Sequence, residues 1–157
     1  MQKLALELGG DEGGVRDAGL LGAIHDIGKI HVEAAIFKKL QAGETLQAAD
    51  RKKLARKPEE IFKIIDEKLL SREVKDAVVH QRCRYDGKGS PPVAGEKIPL
   101  LARMLCIVDY YDMLTRQRTG RTPLTEVQVR EVLEVNKGKI FDPVLAQAFL
   151  SHLDKGR

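Results

Sequence analysis

The dipeptide His25-Asp26 joins two side chains of the kinds that ligate divalent metal ions. Neighbouring residues on a helix point about 100° apart, yet both side chains reach one ion when it sits at a helix end. A neutral imidazole and a carboxylate suit iron, manganese or zinc. Gly28 lets the helix end there, and Lys29 would bring an ammonium group near a phosphate oxygen on the same ion. The alternative is structural, with His25 stabilising the negative end of the helix dipole.

Asp109 and Asp112 form a second pair of candidate ligands. They are three residues apart and therefore share one face of a helix. The apolar residues just before Asp109 predict that this stretch is buried, where a carboxylate needs a cation, an arginine or a metal ion as partner. On spacing alone the structural interpretation is better: the two aspartates would cap helix ends or pair with Arg103 or Arg116.

Helical periodicity dominates the rest of the chain, and no stretch alternates strictly between apolar and polar residues. This pattern predicts an all-α domain of six to eight helices. The expected helices cover residues 15–30, 47–56, a segment starting at Pro58, 71–80, 98–116, 125–136 (ended by Gly138) and a last one starting at Asp142-Pro143. A turn-rich loop from Asp86 to Pro92 separates two of them. The metal-ligand hypothesis requires the end of the first helix to meet the middle of the helix over 98–116.

The amino-acid composition excludes several classes of protein. The 157 residues are 43% hydrophobic, which suits a single domain over 1–157 with one core. No apolar run reaches the ~18–20 residues of a membrane span, and the N-terminus does not resemble a secretory signal. Cys83 and Cys106 are too few for a disulfide framework, so a reducing cytoplasm is expected. A net charge of +4 is weak evidence for nucleic acid, and the 4% aromatic content argues against a single-strand stacking platform.

Several segments, in order, resemble the HD-GYP family of metal-dependent phosphodiesterases within the wider HD superfamily of phosphohydrolases. They are Gly22–Ile30, Arg84–Pro91, Ile98–Leu100, Arg103–Thr115, Gly138–Pro143 and Ala148–Leu150. Arg118 and Arg121 match basic positions of the family. Ser90 stands where the family's naming loop usually has tyrosine. The resemblance covers nearly the whole chain.

The resemblance implies an HD-domain-like helical bundle that hydrolyses cyclic di-GMP with two or three metal ions, often iron. By this resemblance Lys29 would be catalytic, and the metal ligands retained in this chain would be His25, Asp26 and Asp109. The residues expected to bind substrate are Asp86, Gly87, Gly89, Arg118 and Arg121. His80 is a candidate replacement ligand, and the alternative is an ordinary surface histidine.

The sequence also departs from the family pattern in its metal ligands. Lys57-Pro58 stands where the family has His-Pro, Gln81-Arg82 where it has adjacent histidines, and Cys83 where it has glutamate. An ammonium group cannot ligate a metal ion while it keeps its proton. No histidine precedes His25, so we expect the family's first helix to be lacking. Its loss would leave an apolar groove for a protein partner or a second copy of the chain.

Three functions follow as hypotheses. The first is a degenerate HD-GYP-like domain that acts in bacterial signalling by binding a cyclic dinucleotide or a protein. The second is an active phosphodiesterase with a reduced metal site. The third, a nucleic-acid-binding protein, rests only on the basic charge balance. The expected cofactor is a divalent iron, manganese or zinc ion, or none in a fully degenerate domain.

Overall fold

The protein is described by a computed structural model that covers residues 1–27, 34–50, 58–117 and 122–155. Its α-helices are α1 (Gln2–Glu7), α2 (Glu12–Ile24), α3 (Ala34–Gln41), α4 (Arg72–His80), α5 (Leu100–Thr115), α6 (Glu126–Val135) and α7 (Pro143–Lys155). Short 3-10 helices cover Pro58–Lys63, Glu67–Leu69 and Gly95–Lys97. Within these described ranges the only β-type pairings are two isolated bridges, so the all-α prediction is confirmed.

Side-chain caps fix the starts of three helices where the sequence predicts them. Ser71 accepts a hydrogen bond from the N–H of Val74 at 3.1 Å and begins α4. Thr125 forms a capping box with Gln128 at the start of α6. Asp142 accepts two backbone N–H groups at the start of α7. Each cap satisfies N–H groups that have no partner inside the helix.

The segment after Pro58 differs from the continuous helix that the sequence predicts. It forms two 3-10 helices, Pro58–Lys63 and Glu67–Leu69, with Asp66 between them. Asp66 has extended backbone angles and accepts the N–H of Lys68 at 3.0 Å, which starts a new turn. The sequence pattern also predicts one apolar face that carries Ile61, Ile64, Ile65 and Leu69, but Leu69 is 77% exposed.

Gly138 does not directly follow the last helical turn, since α6 ends at Val135 with Asn136 as its C-cap. It has a φ of +71°, which glycine adopts without steric cost, and its N–H donates to the carbonyl of Phe141. The helix predicted over 47–56 falls largely outside the described residues.

One buried apolar cluster joins α1, α2, α4, α5, α6 and α7. Its largest fully buried side chains are Leu4, Leu21, Ile61, Val74, Val78, Met104, Ile107, Val129, Leu133 and Phe141. Among the residues that the structure describes, no helix combines the length and apolar character that crossing a bilayer requires.

Candidate functional site

A cleft of about 530 Å³ is lined by residues of α1, α2 and α5 together with the residues that follow α2 and α5. Its walls include His25 and Asp26, which follow the last residue of α2, and Asp109 and Asp112 in the middle of α5. The fold therefore brings both pairs of candidate ligands to one place. The sequence spacing alone does not require this meeting, because Asp26 and Asp109 are 83 positions apart in the chain.

His25 is held with one ring nitrogen facing the two nearest carboxylates. Its Nδ1 lies 2.8 Å from the carbonyl of Gly22, which can only accept, so Nδ1 carries the proton. Its Nε2 lies 3.6 Å from Oδ1 of Asp26 and 3.7 Å from Oδ1 of Asp109. A backbone carbonyl on one ring nitrogen is a common way to fix the tautomer that ligates through the other nitrogen.

Helix α2 ends at Ile24, earlier than the Ile30 that the sequence predicts. The His25 ring bonds to the carbonyl of Gly22 in the last turn of the helix. This end is what presents the imidazole and the carboxylate to one cleft.

The electrostatics of His25 follow from its neighbours. The carboxylate of Asp109, 3.7 Å from Nε2, is the main cause that raises the pKa of His25, with Asp26 adding to it and burial opposing it. The carboxylates themselves are accessible, because the Asp109 side chain is 54% exposed and that of Asp26 is 49% exposed. The predicted burial of Asp109 is therefore wrong: the cleft opens beside this turn of α5.

The cleft has further polar walls, formed by Asp112 with Arg116 and by Gln2. Asp112 pairs with Arg116, one turn further along, at 2.6 Å. The side chain of Gln2 lies so close to Gly19 that a Cβ there would approach it to 2.6 Å. Gly19 and Gly22 lie three residues apart on α2. This spacing of small residues is the sequence signal for the close approach of α1, because small residues on one face let another helix pack closely.

The loop predicted to bind substrate is held by its own hydrogen bonds. Arg84 donates two hydrogen bonds to Asp86, at 3.1 and 2.7 Å, and this pairing lowers the pKa of Asp86 to about 2. Asp86 also accepts the N–H of Lys88 at 3.0 Å. The N–H groups of Tyr85 and Asp86 donate to the carbonyls of Ile140 and Lys139, which ties the loop to the turn before α7.

At Gly87 and Gly89, the two glycines predicted to bind substrate, a side chain would be strained or would clash with the backbone. Gly87 has a φ of +76°. A Cβ on Gly89 would lie 2.4 Å from the carbonyl oxygen of Arg82 and 2.4 Å from the backbone nitrogen of Arg84. Asp86, Gly87 and Gly89 do not line the cleft around His25. Their part in substrate binding stays a prediction.

The variant Gly89→Ala should destabilise the protein by about 1–3 kcal/mol, because the added methyl group meets backbone atoms that cannot rotate away. Gly13→Ala is the matched control: a Cβ there lies 3.6 Å from Asp11 Oδ1, and alanine suits a helix better than glycine. Urea unfolding measures both. Equal stabilities of Gly89→Ala and wild type would contradict the packing of this loop.

His80 lies apart from the cleft. It ends α4, its side chain is partly exposed, and its Nδ1 lies 2.8 Å from the carbonyl of Asp76 on the same helix. It is not among the residues that line the cleft. In the described part of the chain, no group of three or more His, Cys, Asp or Glu side chains is placed to hold a metal ion as the side chains stand. A ligand role for His80 therefore stays a prediction.

The predicted catalytic Lys29 and the predicted substrate-binding Arg118 and Arg121 lie outside the described residues. So do Gly28 and Lys57.

The position of α5 is braced by a buried ion pair. Arg103 donates one hydrogen bond to Asp142, whose side chain is 4% exposed, and a second one to the carbonyl of Ile98 at 2.9 Å. Asp142 also caps α7. The pair thus fixes α5, which carries Asp109, against the start of α7. Of the two arginines expected to pair with the aspartates of α5, Arg116 does so, with Asp112, whereas Arg103 pairs with Asp142.

Comparison with known proteins adds independent information. The family model of the HD domain matches residues 1–145. The chain is 35% identical over 139 residues to a cyclic di-GMP phosphodiesterase of Pseudomonas aeruginosa, and 30% identical over 133 residues to a 3'3'-cGAMP-specific phosphodiesterase of Vibrio cholerae. It is 28% identical over 151 residues to a cyclic di-GMP phosphodiesterase response regulator of Xanthomonas campestris.

These alignments cover 87%, 84% and 94% of this chain. They cover 32%, 25% and 39% of the respective relatives, so the chain spans well under half the length of these curated proteins. The family match runs across most of the chain and spans the positions of His25, Asp26 and Asp109. The chain belongs to the HD domain family.

Proposed function

We propose that this chain is a cyclic-dinucleotide-binding HD domain that uses His25, Asp26 and Asp109 to hold one divalent metal ion. The observation that carries the proposal is the position of Nε2 of His25, which faces two carboxylates while Nδ1 is fixed by Gly22. The ligand class comes from the relatives, which are named as phosphodiesterases of cyclic di-GMP or 3'3'-cGAMP.

The donor set suits such an ion. One imidazole and two carboxylates match the preferences of iron, manganese and zinc, with water completing the shell. The carboxylates of Asp26 and Asp109 are accessible and would turn toward Nε2 to complete the site. When bound, a divalent ion supplies charge that neutralises a phosphate oxygen and lowers the pKa of a bound water.

The charge of the cleft supports a role for a cation in ligand binding. Three aspartates line it, while Arg116 is already paired with Asp112. Such a surface repels a phosphodiester unless a cation compensates. Lys29, Arg118 and Arg121 stay our candidates for phosphate contacts, and Asp86, Gly87 and Gly89 for the binding loop.

We infer that binding, rather than rapid hydrolysis, is the main activity. The chain has 4 histidines, and the described ones at positions 80 and 152 bond to groups away from the cleft. A centre with two or three metal ions would need more ligands than the three proposed here. The alternative, a phosphodiesterase with a reduced metal site, is favoured by the retention of His25, Asp26 and Asp109 together.

We further propose that 1–157 acts as one domain of a bacterial signalling protein in the cytoplasm. A protein partner or a second copy of the chain stays a prediction from the sequence.

Calorimetric titration with cyclic di-GMP tests the proposed function. We expect binding in Mn²⁺ that weakens at least about tenfold when EDTA removes the ion, since the three aspartates then face the phosphates uncompensated. Chromatography of the same samples should detect no linear dinucleotide. Turnover would favour the alternative, an active enzyme. The absence of any binding in Mn²⁺ would contradict both.

A further inference from the structure

Arg116 is the one lysine or arginine among the described residues that line the cleft. It is the C-cap of α5, and its backbone N–H donates to the carbonyl of Asp112 at 3.0 Å, so it continues the path of the helix. It stands seven residues after Asp109, which places the two residues within about 20° of the same helix face. One side of α5 therefore presents both a proposed metal ligand and a cation to the cleft.

The guanidinium group of Arg116 is held at the cleft by a carboxylate. Its Nε lies 2.6 Å from Oδ1 of Asp112, which also lines the cleft. Because side chains on a helix tilt toward its N-terminus, this contact directs the arginine back along α5 toward Asp109. Asp112 thus acts as a positioning residue for Arg116. The pair contributes little to the stability of the fold, since both side chains reach solvent.

The guanidinium group has more hydrogen-bonding capacity than this contact uses. It carries five N–H donors in a rigid planar fork, and the contact with Asp112 is made through Nε. The side chain is 71% exposed, so a ligand that enters the cleft can reach it. Arginine binds phosphate oxygens through two parallel hydrogen bonds, an arrangement that the ammonium group of lysine does not reproduce.

The position of this arginine matches an anionic ligand bound beside Asp109. Along the helix axis, Asp109 and Arg116 are about 10 Å apart at the backbone, and the arginine side chain points into this interval. A divalent ion at Asp109 and the guanidinium group would therefore contact one ligand from two places on the same helix. Two cations on this side also offset the three aspartates of the cleft.

We propose that Arg116 binds a phosphate of the cyclic dinucleotide through two hydrogen bonds while Asp112 holds the guanidinium group in place. This inference rests on the proposed function, because the ligand class comes from there. It adds a residue to those that the family resemblance assigns to phosphate, which are Lys29, Arg118 and Arg121.

Arg116→Gln tests the proposal, because glutamine keeps a polar side chain but carries no charge. Calorimetric titration in Mn²⁺ should show cyclic di-GMP binding that is roughly tenfold weaker, as expected when charge-assisted hydrogen bonds are lost. Arg72→Gln is the matched control and should bind as wild type. Arg72 also pairs through Nε with an aspartate four positions away, Asp76, but it does not line the cleft.

Arg116→Lys separates a two-hydrogen-bond contact from a general effect of charge. Lysine keeps the positive charge but lacks the planar fork, so its affinity for cyclic di-GMP should fall between those of Arg116→Gln and wild type. Wild-type affinity in Arg116→Lys would overturn the proposed contact. The Tm of all three variants should stay close to that of wild type, because each change affects only an exposed ion pair.

The metal alone provides a further readout. Without nucleotide, Arg116→Gln should bind Mn²⁺ at least as tightly as wild type, since it removes a cation and no proposed metal ligand. Weaker Mn²⁺ binding would assign the arginine to support of the metal site and overturn the proposal. Unchanged cyclic di-GMP affinity in Arg116→Gln would also overturn it, while the proposed function would stand. If wild type binds no cyclic di-GMP in Mn²⁺, the proposed function fails and this inference fails with it.

Discussion

Replacing Asp142 by alanine should lower the free energy of unfolding by about 3–5 kcal/mol, which corresponds to a Tm roughly 6–20 °C lower. The carboxylate is 4% exposed, pairs with Arg103 and accepts the N–H groups of Val144 and Leu145. Its removal leaves the arginine, whose side chain is 16% exposed, without its charged partner. It also removes the cap of α7, a loss of about 1 kcal/mol by itself.

Asp154→Ala is the matched control, because this aspartate also pairs with an arginine, Arg130, but its side chain is 63% exposed. An exposed pair contributes about 0–1 kcal/mol, so this variant should stay close to wild type. Asp142→Asn keeps a capping oxygen and should fall between the two. Similar stabilities of the two alanine variants in thermal and urea unfolding would contradict the bracing role of the buried pair.

Replacing His25 by alanine should weaken Mn²⁺ binding at least about a hundredfold. Losing a group that only supports a ligand already costs about ten- to a hundredfold, and His25 is proposed as a ligand itself. Protons compete with the ion for Nε2, and the pKa of His25 is raised by Asp109. Wild-type binding should therefore weaken as the pH falls through that raised pKa, and the alanine variant should lack this dependence.

His152→Ala is the control, since it removes another histidine that bonds to a carboxylate, and Mn²⁺ affinity should not change. His80→Ala tests the remaining candidate ligand. An unchanged Mn²⁺ affinity would remove His80 from the set of metal ligands. If His25→Ala and wild type bind Mn²⁺ equally in calorimetry, the ion does not sit at this cleft.

The parts of the fold that the sequence predicts best depend on local contacts. Ser71, Thr125 and Asp142 begin their helices as expected because each cap bonds to an N–H within three residues along the chain. The prediction of one continuous helix from Pro58 onward is wrong for a related reason. Asp66 forms the same kind of local bond inside an apolar pattern and divides one expected helix into two 3-10 helices.

The candidate site depends more on contacts that are distant in sequence. Residue type made His25, Asp26 and Asp109 candidate ligands, the family resemblance selected them, and the fold places all three on one cleft. Periodicity could not reveal that the cleft leaves Asp109 accessible, because exposure depends on how α1 and α2 pack beside α5. The same limit applies to Arg103, which pairs with Asp142, 39 residues away.

The metal content of the protein, purified without oxygen or chelators, tests the central claim most directly. Elemental analysis should find about one equivalent of iron, manganese or zinc per chain, as a single open site predicts. Asp109→Ala should lose this metal, and Asp154→Ala should keep it. A wild-type protein without metal even after reconstitution, or equal metal in Asp109→Ala, would contradict a divalent-ion site at His25, Asp26 and Asp109.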